Sequence, residues 1–260
     1  MSNDQQLQRI EYLPTPSMSP IFRVVCALGD MFGRIGIGPI SIDGSAMRRL
    51  LDKGTKLARK VEGEEWASEG DEIHRFWENT LRVVTQSLFE RDQHTVARMV
   101  ISGALKYYLE RRVQVYQYLL DNPHILDVKI ERPLVIAGFP RTGSTLMHRL
   151  LAEDSNARAY KYWELTSPIP SPKPGDLKDS RIWKMGLIYK AIDFVVPGHT
   201  KSIEAFHMSS PTTIEEDTVL MWSMGLMNPL TFLHSDEPLR KEIFSATGRS
   251  GSYRFLRRCF

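Results

Sequence analysis

Apolar residues recur at helical spacing through the first half of the chain. Met47, Leu50, Leu51, Leu57, Ala58 and Val61 fall on one face of a helix over about 45–61, with Asp43 or Ser45 placed to cap it. Ile73, Phe76, Trp77, Leu81, Val84 and Leu88 form the stripe of a second helix over about 71–90. A third covers about 94–120, with Gly103 as the place for a kink and Asn122-Pro123 as its end. Each stripe reads as a packing face. The segment before them, 1–44, reads as irregular: Pro14, Pro16 and Pro20 punctuate its first part, and Gly29, Gly33, Gly36 and Gly38 loosen its second.

The pattern changes after Ile130. Residues 133–138, Pro-Leu-Val-Ile-Ala-Gly, are a short apolar run with β-branched members, bounded by proline and glycine. Such a run predicts a buried parallel strand. A tight turn over 139–144 follows, then a helix over 145–151 with Leu146, Leu150 and Leu151 facing inward. A proline-rich loop, 168–174, leads to helices around 179–194 and 211–227. Ser210 is placed to cap the second of these. Glu215, Glu216 and Asp217 would sit in its first turns, where acids suit the helix dipole. The last ten residues read as the start of another helix. The organisation expected is therefore an irregular segment, 1–44, a helical region, 45–130, and an α/β region, 131–260.

Composition narrows the function classes. The 260 residues carry 34 Lys and Arg against 31 Asp and Glu, a net charge of +3. That balance argues against a nucleic-acid partner held by bulk charge and leaves room for a local anionic site. Residues 1–20 have no apolar core of signal-peptide length, and no stretch reaches the length of a transmembrane segment. A cytoplasmic protein is the expectation, with surface association left open by the glycine-rich, apolar stretch 21–42. Cys26 and Cys259 lie far apart in no Cys/His cluster, so neither a metal site nor a disulfide framework is expected.

The chemistry concentrates in Gly138-Phe-Pro-Arg-Thr-Gly-Ser-Thr145. A loop entering a helix N-terminus turns several backbone N–H groups toward one point, and the helix dipole adds partial positive charge there. Gly143 lets the backbone approach an anion closely. Arg141 adds a fixed, many-donor cation, and Ser144 and Thr145 add hydroxyls. Every group is a donor, so the ligand should be an anion. The spacing follows GxxxxGK[ST] except that Ser144 stands where a nucleotide triphosphatase has its lysine.

The segment GFPRTGSTLMHRLLAEDSNARAYKYWEL resembles the phosphosulfate-binding loop of the P-loop sulfotransferase superfamily, which uses 3′-phosphoadenosine 5′-phosphosulfate (PAPS). It is most similar to the branch whose loop reads PRTG[ST]T and leads to a Trp-Glu pair, here Trp163-Glu164. The likeness extends through the proline-rich loop, Asp179-Ser-Arg-Ile182, His207-Met208 and 211–217. It covers 133–227 well and the helical region more loosely.

What the resemblance implies is a P-loop-type three-layer α/β sandwich around a parallel sheet, preceded by a mostly helical region. It implies sulfuryl transfer from PAPS, with no metal, to a hydroxyl or amine of a small molecule or glycan. Arg141, Thr142, Gly143, Ser144 and Thr145 would hold the phosphosulfate. Arg141 would also steady the leaving oxygens as charge builds on them. Glu164 would be the general base, with His207 as second candidate. An ion pair or helix cap is the structural alternative for Glu164, and an ordinary histidine for His207. Trp163 reads as core rather than as a substrate platform, and His148 as packing. The Lys-Ser-Pro and His-Arg-Asp-Pro motifs that bind the 3′-phosphate in this branch are absent from the sequence. The expectation is thus a C-terminally truncated chain with an incomplete sheet and uncertain turnover. Two other readings stay open: a P-loop kinase or nucleotide triphosphatase, and a non-catalytic binding protein of the same fold.

Overall fold

The computed structural model describes residues 19–34, 44–63, 66–90, 95–139, 142–173, 175–201, 210–224 and 249–260. Nine helices are named here: α1 Pro20–Arg34, α2 Gly44–Glu62, α3 Ala67–Glu90, α4 Thr95–Asp121, α5 Ser144–Leu151, α6 Tyr162–Thr166, α7 Ser180–Val195, α8 Thr218–Met221 and α9 Arg249–Cys259. A 3-10 turn, Pro123–Asp127, follows α4.

The main core is where the apolar stripes of α2, α3 and α4 meet. Met47, Leu51, Leu57 and Ala58 of α2 pack with Ile73, Trp77 and Leu81 of α3 and with Leu105, Leu109 and Val113 of α4. Leu50 and Val61 cover the edge of this cluster. These are the faces that the 3.6-residue period requires. α4 runs through Gly103 without a break and ends at Asp121, just before Asn122-Pro123. A second, smaller core joins Phe76 of α3, Leu165 of α6, Val219, Leu220 and Met221 of α8 and Leu256 of α9. α9 links the two, because Phe255 enters the first cluster and Leu256 the second.

The α/β sandwich expected from the sequence is not formed. Among the described residues there is no strand and no sheet, and the one bridge is antiparallel, between Lys161 and Ile214. Residues 133–139 have no regular structure, and Leu134, Val135 and Phe139 are 72%, 76% and 83% exposed. A parallel strand closes its hydrogen bonds against neighbouring strands and buries both faces under helices. No described segment supplies either, so the local β-branched pattern has nothing to pair with. The burial expected along 134–137 is absent for the same reason, and Leu146 and Leu150 of α5 face solvent rather than a sheet.

Two further boundaries differ. Residues 20–34 are helical where 1–44 was expected to be irregular. Pro20 sits in the first turn, where its missing N–H costs nothing, and Ser19 Oγ accepts from Phe22 N at 3.0 Å. Gly29 is the contact point with α4: a Cβ there would collide with the Thr95 side chain, whose Oγ1 donates to Asp30 Oδ1 at 2.6 Å. The helix expected over 211–227 begins only at Thr218. Before it, Ser210, Thr213 and Ile214 make a turn and the bridge to Lys161.

Candidate functional site

Thr142, Gly143, Ser144 and Thr145 are brought together at the start of α5. Gly143 is the N-cap, with φ 92° and ψ 10°, a left-handed conformation that suits glycine. The first intrahelical bond of the turn is Met147 N to Gly143 O at 3.0 Å, so the amides of Ser144, Thr145 and Leu146 precede the helical ladder. Thr142 Oγ1 donates to Phe139 O at 2.7 Å, which closes the turn that delivers Gly143. Gly143 is exposed, and Ser144 and Thr145 are half-buried. Three backbone amides outside the helical ladder therefore lie at this helix end, with the Ser144 and Thr145 side chains in the same first turn. Arg141 and His207 lie outside the described residues.

Glu164 is on the short helix α6, not on a strand, and is 5% exposed. Its Oε2 accepts from Lys161 N at 2.8 Å, which satisfies an orphan amide at the start of that helix. Its Oε1 faces Arg158 Nη2 at 3.4 Å, and the Arg158 guanidinium lies over the Tyr160 ring at 4.7 Å. Both carboxylate oxygens are thus engaged by the chain itself. Trp163 is buried, with the Arg181 guanidinium 4.7 Å from its ring centre.

Some surroundings of charged groups were not legible from sequence. Asp217, at the N-cap of α8, has its carboxyl raised above the ordinary range by burial and by the neighbouring Glu216 charge, with His148 of α5 pulling the other way. His148 of α5 and Asp217 of α8 are therefore within electrostatic reach of each other. Arg112 is fully buried in the main core, with Nη1 donating to Thr55 Oγ1 at 3.3 Å and Nε and Nη2 without a hydrogen-bond partner among the described residues. Burial pushes its guanidinium below its usual value, with Tyr116 acting in the opposite direction. Thr55 Oγ1 in turn lies 3.1 Å from His74 Nδ1. Only the folded helices reveal these neighbours, because Thr55, His74 and Arg112 come from three different helices.

Among the described residues no three His, Cys, Asp or Glu side chains group as a metal site. No helix there is long and apolar enough to cross a membrane. Comparison of the chain with protein-family models, curated proteins and solved structures gives no match.

Proposed function

We propose that residues 141–145 bind the phosphosulfate of PAPS and that the protein is a sulfotransferase acting on a hydroxyl or amine of a small molecule or glycan. The observation that carries this reading is the left-handed Gly143 delivering the open amides of Ser144 and Thr145 at the start of α5. That geometry suits a tetrahedral anion, and the Pro-Arg-Thr-Gly-Ser-Thr order supplies the cation and hydroxyls that phosphosulfate requires. The reading rests on this loop and on the sequence resemblance; the helical architecture lends it no support. In the proposed reaction the acceptor oxygen or nitrogen attacks sulfur, the S–O bond to the nucleotide phosphate breaks, and 3′,5′-diphosphoadenosine (PAP) leaves. The acceptor proton passes to a carboxylate, for which Glu164 is the first candidate.

A second reading, nucleotide binding without turnover, is favoured by the two bonds that already occupy the Glu164 carboxylate. Radiolabelled PAPS incubated with a panel of alcohol, amine and glycan acceptors separates the two. Transfer that is lost in Glu164→Gln, with PAP affinity retained, supports the enzyme. PAP binding with no transfer to any acceptor supports the second reading, and absence of PAP binding removes both.

A further inference from the structure

Away from the anion loop, α4, the loop after α6 and the first turns of α7 enclose a cleft of about 550 Å³. This is the size of a small-molecule site. Its frame is held by hydrogen bonds. Tyr107 Oη donates to Thr166 O at 2.6 Å, tying α4 to the end of α6. Arg181 Nη1 donates to Ser167 O at 2.6 Å and Pro170 O at 2.7 Å, while its Nε and Nη2 fork onto Asp179 at 2.9 and 2.6 Å. Arg181 is therefore committed, and the Asp179 carboxyl is held below its usual range chiefly by that hydrogen bond. The acid of the cleft is neutralised by the cation beside it.

Two cations remain. The Arg111 guanidinium lies 4.7 Å over the Tyr107 ring and, among the described residues, its one hydrogen bond is from Nη1 to Gln114 Oε1 at 2.8 Å. Lys184, one turn along α7 from Ser180, has no ion pair among the described residues. Ile169, Met185 and Ile188 contribute aliphatic side chains to the same cleft. Met185 and Ile188 are three residues apart and share a face of α7 with Lys184. The lining carries Arg111, Arg181 and Lys184 against the one acid Asp179, and a cleft with that excess of positive charge and aliphatic side chains matches neither a bare inorganic anion nor a neutral hydrocarbon.

We propose that this cleft binds an amphiphilic organic anion. A carboxylate, sulfate or phosphate head pairs with Arg111 and Lys184, and an aliphatic body lies along Ile169, Met185 and Ile188. The site stands apart from the phosphosulfate loop and does not depend on its assignment.

The test is calorimetric titration of the full chain with octyl sulfate, octyl phosphate and octanoate below their micelle concentrations. Octyl glucoside serves as the neutral control and sodium sulfate as the head-only control. Saturable one-site binding of at least one charged amphiphile is expected, with affinity at least about tenfold above either control, the discrimination one charge-assisted contact supplies. Arg111→Gln and Lys184→Gln should each lower it about tenfold or more. Met185→Asp should abolish it. Both cations are on the surface of the cleft, so unchanged far-UV circular dichroism and melting temperature are expected for their variants. Equal binding of octyl glucoside, or full affinity in the Arg111→Gln, Lys184→Gln double variant, would overturn the proposal. So would failure of all three charged amphiphiles. None of the variants touches residues 141–145, so PAP binding there is read separately.

Discussion

The last helix is pinned to the end of α2 by a forked ion pair, and the two partners should respond unequally to removal. Arg258 Nε and Nη2 donate to Glu62 Oε1 and Oε2 at 3.1 and 3.0 Å. The Glu62 side chain is 2% exposed, whereas that of Arg258 is 23% exposed. The Arg258 guanidinium is held above its ordinary value first by the hydrogen bond to Glu62. Arg258→Met leaves a buried carboxylate without that fork. A fully buried pair broken in this way loses about 3–5 kcal/mol, and the solvent access of Arg258 reduces the expectation to about 2–4 kcal/mol. Glu62→Gln leaves a cation that can turn toward water, and one oxygen still accepts, so about 1–2 kcal/mol is expected. Replacing both by methionine should cost less than Arg258→Met alone, because no charge is then stranded. Urea unfolding followed by far-UV circular dichroism measures all three variants. A larger loss for Glu62→Gln than for Arg258→Met, or a double-methionine variant that loses as much as Arg258→Met or more, would refute the reasoning.

Two glycines within helices should respond with opposite sign. Gly103 has open space where a Cβ would go, so Gly103→Ala should raise stability by about 0.5–1 kcal/mol; a Cβ at Gly70 would run into the buried Trp66 ring, so Gly70→Ala should lower it by about 1–3 kcal/mol, both read by the same unfolding assay. Alkaline pH should weaken the fold. Burial raises the Tyr108, Tyr116 and Tyr162 phenols and the Cys259 thiol above their ordinary values. Below the unfolded-state values both states keep their protons and stability is full; above them the unfolded chain releases protons that the folded chain retains, so stability falls. The melting temperature should therefore drop beyond about pH 9, and a flat or rising profile there would contradict the burial of these groups. The Tyr116 hydroxyl has no hydrogen-bond partner among the described residues, so Tyr116→Phe should be neutral or stabilising by up to about 1 kcal/mol and should soften the alkaline fall.

The helical half of the molecule was legible because a helix closes its hydrogen bonds within itself, leaving only the direction of its apolar stripe to tertiary structure. Met47, Leu51, Ile73 and Trp77 are buried on the faces their spacing indicated. Residues 133–138 were misread because a strand depends on partners that local sequence does not reveal. Pro20 was read as a break when it occupies a first turn. For Glu164 the ion pair and helix cap weighed as the alternative to a base are both formed, since a carboxylate three residues after Lys161 at a helix start is the spacing that reaches back to an amide. The turn at Gly143 and the helix after it were readable locally. The Arg111 and Lys184 cleft was not, because its cations are separated by more than seventy positions and meet only through the packing of α4 near α7.

The central claim, an anion site at residues 141–145, is tested most directly by titrating the isotope-labelled chain with PAP and following backbone amide resonances. The account expects saturable binding, with the largest shifts at Gly143, Ser144 and Thr145. Arg141→Ala should reduce affinity about tenfold to a hundredfold, the loss of one or two hydrogen bonds to a charged group. ATP with magnesium should bind more weakly than PAP, since Ser144 replaces the lysine that reaches a triphosphate. Unmoved loop amides, unchanged affinity in Arg141→Ala, or tighter binding of magnesium ATP would contradict it.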